Sequence, residues 1–242
     1  MRIAAKTDVG QVRLLNEDCY SVGELPGGFV WAVICDGMGG AAGGDVASRS
    51  AAQLISEAVT SSFQEHMSSR SVKNLLVTAL DNANTRVFDL AQASDILMGM
   101  GTTVVAAIVS GRRACIAHAG DSRAYLLSGG EPMQLTKDHS VVQAMLDNGQ
   151  ITEEEARDHP RRNLITRALG VAETLEADYC EEELSPGSVL LLCTDGLTNC
   201  VDPVGFPLLL ARCGFASFAD GLVGLANERG GQDNITVVAI EI

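Results

Sequence analysis

Six carboxylates lie directly beside apolar runs of this sequence: Glu17, Asp18, Asp36, Asp121, Asp195 and Asp233. Such runs are typical of strands that deliver acidic side chains to one edge of a sheet. Hard divalent cations such as Mg²⁺ and Mn²⁺ bind oxygen ligands of this kind, and two ions about 3.5–4 Å apart can share one bridging carboxylate. Gly37 follows Asp36 and would let backbone and its carbonyl approach an ion. The pattern predicts an oxygen-rich metal site.

The elements that must hold these carboxylates follow from the hydrophobic pattern. Short apolar runs separated by turn residues predict strands at 2–7, 19–25, 29–35, 102–109, 113–119, 123–127, 175–179, 189–193 and 234–242. Apolar residues at helical spacing predict helices from residue 45, around 72–87, and at 140–146, 206–213 and 217–228, with a further short helix opening at the capping box 152–155. This order indicates an α+β fold in which two antiparallel sheets pack face to face, with helices outside.

Length, composition and charge narrow the function classes. The chain has 242 residues, 46% of them hydrophobic, and is expected to form a single domain over 1–242. It has no apolar run of the roughly 20 residues that a membrane span needs and no signal-peptide pattern, so a cytoplasmic location is expected. The net charge of −14 disfavours nucleic acid and anionic membranes as partners. Seven cysteines without a C-x-x-C pair indicate free thiols.

The glycine-rich stretch after Asp36 allows other interpretations. Asp-Gly is a hairpin signal, but a helical pattern follows it instead of a partner strand. Residues 37–42 match the dinucleotide-binding pattern G-x-G-x-x-A, but two helices follow where that unit needs a strand, and Asp36 would lie beside the pyrophosphate. No Gly-Lys-Ser/Thr follows for a P-loop, and no G-x-S-x-G elbow supports a catalytic triad. We interpret the four histidines as structural or exposed.

Five motifs contain the carboxylates and occur in a fixed order. They are Thr7-Asp8-x-Gly10-x-x-Arg13-x-x-Asn16-Glu17-Asp18, Asp36-Gly37-Met38-Gly39-Gly40, Gly120-Asp121-Ser122-Arg123, Thr194-Asp195-Gly196-Leu197 and Asp233-Asn234-Ile235-Thr236. Together they resemble the metal-dependent protein phosphatases of type 2C, especially the bacterial stand-alone members. Lys137-Asp138-His139-Ser140 and residues 162–170 match the flap of that family, so a flap-like subregion is expected at 137–170. Each motif is short, but the five in order cover nearly the whole chain.

The resemblance implies a four-layer α-β-β-α sandwich with two Mn²⁺ or Mg²⁺ ions between the sheets, and a third ion as in bacterial members. By position, Asp36 would bridge the two metals, Gly37 would offer its carbonyl, and Glu17 would bind through water or an outer shell. Asp195 and Asp233 would hold the first metal. Asp121 would serve the third metal with Asp195.

The resemblance also implies roles for residues around the metals. Arg13 would bind phosphoryl oxygens through its bidentate guanidinium. Asp18 is a ligand or outer-shell candidate, and Asn234 is an outer-shell candidate. Four residues are expected on the substrate flap: His139, Ser140, Thr166 and Arg167.

One position departs from the family pattern. Many relatives carry a histidine in the glycine-rich loop that protonates the leaving oxygen, and here Met38 and Ala41 occupy the candidate positions. Loss of a general acid lowers turnover by about 10²–10⁴-fold, so slow turnover is expected unless a metal-bound water supplies the proton.

The resulting hypothesis is a phosphoserine/phosphothreonine protein phosphatase in which a metal-bridging hydroxide attacks phosphorus in line, without a phosphoenzyme. Its expected partners are phosphorylated proteins and a cognate Ser/Thr kinase, and a monomer is expected. Two alternatives stay open: a catalytically weak phosphoprotein-binding module of the same fold, and a two-metal phosphodiesterase or nuclease, which the acidity disfavours.

Overall fold

Two antiparallel sheets form the centre of the molecule. The computed structural model describes residues 1–39 and 43–242. Its strands are β1 (Arg2–Asp8), β2 (Asp18–Leu25), β3 (Phe29–Met38), β4 (Gly101–Thr102), β5 (Val104–Ser110), β6 (Arg113–Ala119), β7 (Arg123–Leu127), β8 (Met133–Gln134), β9 (Asp178–Glu183), β10 (Val189–Cys193) and β11 (Ile235–Glu241). One sheet has the order β1-β11-β10-β7-β8, and the other has the order β2-β3-β5-β6-β9 with β4 paired to the end of β3.

Helices cover the outer face of each sheet, and shorter helices lie in the connections between strands. They are α1 (Gly43–Ser62), α2 (Ser69–Ala93), α3 (Val141–Asp147), α4 (Glu153–Arg157), α5 (Asp195–Thr198), α6 (Phe206–Cys213) and α7 (Phe218–Glu228). The pair α1 and α2 packs on the sheet of β3 through Ile55 and Leu80, and the pair α6 and α7 packs on the sheet of β11 through Phe206 and Phe218. The predicted α-β-β-α sandwich is confirmed.

The space between the sheets is apolar over most of its length. Its core includes Ile34 from β3, Val105 from β5, Leu190 from β10 and Val238 from β11. Each of these side chains is completely buried. The sheets are therefore held together by hydrophobic packing, with the carboxylates kept to one end.

Two strands differ by three or more residues from a predicted bound, and the run predicted at 102–109 is divided at Thr103 into β4 and β5. The strand expected at 175–179 lies instead at Asp178–Glu183, so the three consecutive glutamates are inside β9. Among the described strands β9 pairs with β6 alone and lies at the edge of its sheet. An edge strand tolerates the glutamates, because their charges reach water. β3 continues through Asp36 to Met38, and its last two residues pair with β4. The Asp-Gly pair is thus part of β3 and not of a hairpin turn. The strand that pairs with this end of β3 is β4, which is distant in sequence.

The segment between β8 and β9 contains α3 and α4, and the predicted capping box between Thr152 and Glu155 is present at the start of α4. Two isolated bridges tie this segment internally and to the sandwich: Ser140 pairs with Ile165, and Thr102 pairs with Leu169. Among the helices of residues 1–39 and 43–242, none has the length and hydropathy to cross a membrane.

Candidate metal centre

Strands from both sheets bring the carboxylates to one end of the sandwich. Asp18 opens β2 and stands opposite Asp36 in the register of β2 and β3. Asp195 begins α5 directly after β10, and Asp233 precedes β11. Asp121 lies in the turn between β6 and β7. The charges of the four other aspartates all act on Asp36, so the five aspartates lie close together.

The carboxylates repel one another in the absence of a cation. Burial raises the pKa of Asp36 well above its usual range, and the charges of Asp18 and Asp195 raise it further. Burial raises the pKa of Asp121 to about 7, with Asp195 as the next cause. Burial, followed by the charge of Asp233, also raises the pKa of Asp195. A divalent cation would reverse this repulsion, so the oxygen donors fit Mg²⁺ or Mn²⁺.

Asp18 is the most enclosed of the acids, at 5% exposure. Its Oδ2 accepts hydrogen bonds from the hydroxyls of Thr194 at 2.9 Å and Thr236 at 2.7 Å. Its Oδ1 is buried and has no hydrogen-bond partner among the described residues. Burial raises the pKa of Asp18 to about 7 against the effect of these hydroxyls. An unpaired buried oxygen is what a cation or an ordered water would satisfy.

Arg13 borders the carboxylates from the loop between β1 and β2. Its Nη2 donates to Asp233 Oδ2 at 2.8 Å, and about half of its side chain is exposed. This hydrogen bond, then the charges of Asp233, Glu17 and Asp36, raise the pKa of Arg13. The guanidinium therefore stays charged beside the acids and keeps donors free for an anion.

The side chain of Asn234 holds that loop in place. Its Nδ2 donates to the carbonyls of Val9 at 3.0 Å and Leu15 at 2.9 Å. Its Oδ1 accepts from the backbone N–H of Glu17 at 2.8 Å. One amide thus positions both the chain around Arg13 and the backbone of Glu17.

The start of α1 packs closely against Glu17 and Gly37. The N–H of Gly37 donates to the Glu17 carbonyl at 3.1 Å. A Cβ on Gly44 would lie 2.6 Å from Glu17 Oε1, and a Cβ on Gly37 would collide with the Gly44 carbonyl. The glycines therefore permit a backbone approach that any side chain would prevent.

Thr103 supports Asp36 and was missed from the sequence. Its Oγ1 accepts from the Asp36 N–H at 3.1 Å, and its own N–H donates to the Asp36 carbonyl at 2.9 Å. The same Oγ1 lies 2.7 Å from Ser122 Oγ. Thr103 lies between β4 and β5, and a threonine in or next to a strand has no distinctive sequence signal, because threonine is common in such segments. Thr194 and Thr236 were missed as partners of Asp18 for the same reason.

The four expected flap residues fall into two groups. His139 and Ser140 are buried, at 7% and 6% exposure, and Ser140 caps α3 by accepting from Gln143 N–H at 3.1 Å. Thr166 is exposed, and Arg167 donates to Asp178 Oδ1 at 3.0 Å. Only Thr166 and Arg167 offer accessible side chains.

A cleft of about 1000 Å³ adjoins the centre. Its lining includes Asp121 and Asp195, Arg157 and Arg162 of the segment 137–170, and residues 198–200, 202 and 203. A cleft of this size can accept a short peptide segment beside the carboxylates.

The sandwich and its acid-rich end define the class of metal-dependent phosphatases with an α-β-β-α fold. Residues 10–236 match the family model described as protein phosphatase 2C. The chain is 38% identical to the serine/threonine phosphatase stp of Listeria monocytogenes over 242 residues, which cover 100% of this chain and 96% of the relative. The chain therefore belongs to the protein phosphatase 2C family and is a phosphatase.

Solved structures agree with this assignment. The serine/threonine phosphatase of S. agalactiae superposes with a TM-score of 0.93 at 33% identity, covering 100% of this chain and 99% of that one. The catalytic domain of the serine threonine protein phosphatase PstP, in complex with 2 manganese ions, superposes with a TM-score of 0.85 at 36% identity, covering 98% and 96%. Metal dependence is typical of the family.

Proposed function

We propose that this chain hydrolyses phosphoserine and phosphothreonine in proteins, with two Mn²⁺ or Mg²⁺ ions and a third at Asp121. The observation that carries the proposal is the group of aspartates gathered at one end of the sandwich beside Arg13, which donates to Asp233. We take residues 1–242 as one catalytic unit and 137–170 as its flap.

Each carboxylate has a proposed share in holding the metals. Asp36, central to the charge cluster, would bridge them, and Gly37 would contribute its carbonyl. Asp195 and Asp233 would hold one metal, with Glu17 acting through water. Bound metals supply an activated water as the nucleophile and stabilise charge on the phosphoryl group.

The remaining polar residues bind and orient. Arg13 would donate two N–H groups to phosphoryl oxygens, while Asp233 holds it through the 2.8 Å hydrogen bond. Asp18, gripped by two threonine hydroxyls, would keep the ends of β2, β10 and β11 together. Asn234 would fix the loop that carries Arg13. These residues orient the phosphate without forming a covalent bond to it.

The loop that carries a histidine in many relatives has Met38, which cannot donate a proton. The second candidate position, Ala41, lies outside the described residues. We expect slow turnover of serine and threonine esters, whose leaving oxygens need a proton, relative to aryl phosphates, whose leaving oxygens do not.

The test measures phosphate release from a phosphothreonine peptide with Mn²⁺ and with EDTA, and separately the appearance of linear dinucleotide from a cyclic dinucleotide. We expect Mn²⁺-dependent release from the peptide alone. Stable peptide binding without release at saturating Mn²⁺ would instead indicate the phosphoprotein-binding module, and cleavage of the dinucleotide would indicate a phosphodiesterase.

The setting of the enzyme is also proposed. The net charge of −14 supports protein substrates over nucleic acid. We infer a cytoplasmic monomer that opposes a Ser/Thr kinase. Its free cysteines agree with a reducing compartment.

A further inference from the structure

Two buried histidines stack beside the proposed metal centre. His118 on β6 and His139 have ring centroids 4.8 Å apart and planes 7° apart. They are 3% and 7% exposed. Asp178, at the start of β9, lies 3.3 Å from His139 Nε2. Three potential ligand atoms of these residues lie within 4.8 Å of one another, so a separate metal site is the first interpretation to consider.

The hydrogen bonds argue against a metal at this cluster. The N–H of Gly120 donates to His139 Nδ1 at 3.2 Å, so Nδ1 carries the lone pair and Nε2 carries the proton. A protonated Nε2 donates to Asp178 and cannot bind an ion. Arg167 Nη1 lies 3.2 Å from the same Nε2 and 3.0 Å from Asp178 Oδ1, where its charge would repel a cation. The cluster is a hydrogen-bond network.

This network holds Gly120 at both of its backbone polar groups. The backbone N–H of His139 donates to the Gly120 carbonyl at 2.9 Å, and the ring of His139 accepts from the Gly120 N–H. Gly120 has a φ of +113°, and a Cβ there would lie 2.6 Å from Thr103 Cβ. The residue before Asp121 is therefore enclosed between His139 and Thr103.

The residue after Asp121 is held from the other side. Ser122 Oγ lies 2.7 Å from Thr103 Oγ1, which also accepts from the Asp36 N–H at 3.1 Å. A continuous path of hydrogen bonds and contacts runs from His139 through Gly120, Asp121 and Ser122 to Asp36. It joins the two carboxylates that the proposed function assigns to different metals.

We propose that His139 is a positioning residue that fixes Asp121 relative to Asp36 through its two hydrogen bonds to Gly120. Asp178 sets the tautomer, because it accepts the Nε2 proton and leaves Nδ1 free to accept. The carbonyl of His139 accepts from Thr166 N–H at 2.7 Å. Residues 137–170 thereby control the geometry of Asp121 in addition to any contact with substrate. This inference rests on the proposed function of Asp121.

Two variants separate this role from packing. His139→Leu keeps a similar size and the backbone hydrogen bond but loses the ring acceptor. His139→Asn has an Oδ1 that can accept from Gly120 N–H. We expect His139→Leu to lower kcat by about 10–100-fold, the usual effect of losing an outer-shell partner, equally for para-nitrophenyl phosphate and for a phosphothreonine peptide. His139→Asn is expected to recover most of that loss. The exposed His66→Leu is the matched control and should not change kcat.

Amide hydrogen exchange tests the contact without any metal or substrate. We expect the Gly120 N–H to exchange faster in His139→Leu than in His139→Asn or the parent protein. This measurement stands even if the parent protein releases no phosphate, so failure of the proposed function and failure of this inference are distinguishable. If His139→Leu does not fold, Asp178→Ala, at a largely exposed residue, replaces it. Without Asp178 the proton of the His139 ring is no longer fixed on Nε2, so the Gly120 N–H should lose its acceptor and exchange faster.

Three outcomes would overturn the proposal. One is an unchanged exchange rate at Gly120 in both His139→Leu and Asp178→Ala. Another is a loss confined to the peptide substrate with KM raised, which would make His139 a substrate contact. The third is an equal loss in the Leu and Asn variants with an equal fall in Tm, which would reduce its role to packing.

Discussion

The apolar centre of the sandwich and its acidic end share the same strands. Both are formed by side chains that face inward between the two sheets. Side chains two residues apart on a strand face the same side of a sheet. On β3, Ile34 is buried between the sheets, and Asp36 follows it on that face. On β10, Leu192 is followed by Thr194, and on β11 Val238 is preceded by Thr236, and both threonines donate to Asp18.

This difference shows how one fold supplies both stability and chemistry. The apolar positions hold the sheets together, and towards the acidic end some inward positions carry oxygen instead: Asp18 on β2, Asp36 on β3 and Thr236 on β11. Burial there raises the pKa values of Asp18, Asp36 and Asp195, so this end is destabilising until a cation binds. The two regions should therefore respond in opposite ways to substitution.

The largest expected effect is loss of activity at the acidic end. Asp36→Asn keeps the size of the side chain but removes the charge that metals require. We expect Mn²⁺-dependent kcat/KM to fall by more than about 100-fold, beyond the usual effect of losing an outer-shell partner. Steady-state assays with a phosphothreonine peptide measure it, and Asp95→Asn, at an exposed residue, is the control. Undiminished activity would contradict the assignment of Asp36.

A substitution in the apolar centre should instead affect stability. Leu190 is completely buried between the sheets, and Leu190→Ala is expected to lower the free energy of unfolding by about 2–5 kcal/mol. Urea denaturation measures this, and Leu208→Ala, at a side chain that is 75% exposed, should change it little. If Leu190→Ala lost activity at low temperature without losing stability, the separation of the two regions would be wrong.

Substitution of Arg13 should lower catalytic efficiency and change stability little. Arg13→Ala removes hydrogen bonds to a charged group, and because one such bond contributes about 1.5–3 kcal/mol, kcat/KM should fall by at least about 10–100-fold. Arg13→Lys keeps the charge but not the bidentate geometry, so its kcat/KM should lie between those of the Ala variant and the parent protein. Equal activity of the Ala and Lys variants would argue against bidentate binding. Arg212→Ala on α6 is the exposed control.

The smallest effect concerns pH in the metal-free protein. Because the folded-state pKa values of Asp18 and Asp121 are raised to about 7, their contribution to stability is fully present below about pH 4. It is lost as the pH rises through about 7, since the unfolded carboxyls ionise first. Tm without metal should therefore fall between pH 5 and pH 8, and Mn²⁺ should restore it.

Asp121→Asn tests the sign of that effect. Removing one of the repelling charges should raise the metal-free Tm at pH 8 by about 2–4 °C, which corresponds to about 1 kcal/mol for a domain of this size. Calorimetry measures it. A lower Tm for Asp121→Asn at pH 8 would mean that its charge is stabilising before any metal binds.

The aspartates of the acidic end could be picked out from the sequence. The residues that form hydrogen bonds to them could not. Asp36, Asp195 and Asp233 were recognisable because each interrupts an apolar run and lies in an ordered motif. The sandwich was also predictable, because its strands and helices have clear periodicity. The family comparisons bear out both the fold and the enzyme class.

The supporting residues depend on contacts between distant parts of the chain. Thr103 and Ser122 meet only because β3, β5 and β6 are neighbours. The stacking of His118 on His139 brings a strand and a loop together. The strand at Asp178–Glu183 was misplaced because three glutamates are unfavourable in an isolated strand and acceptable at this sheet edge. Neither these two contacts nor the position of this edge strand can be read from the pattern of neighbouring residues in the sequence.

The most direct test of the metal centre is a crystal structure of the protein soaked in Mn²⁺, with anomalous scattering to locate the ions. We expect two peaks about 3.5–4 Å apart, with the carboxylate of Asp36 between them and Asp195 and Asp233 beside one. In Asp36→Asn crystals at least one peak should disappear. Two undiminished peaks in that variant, or no pair of peaks at Asp36 in the parent protein, would contradict the account.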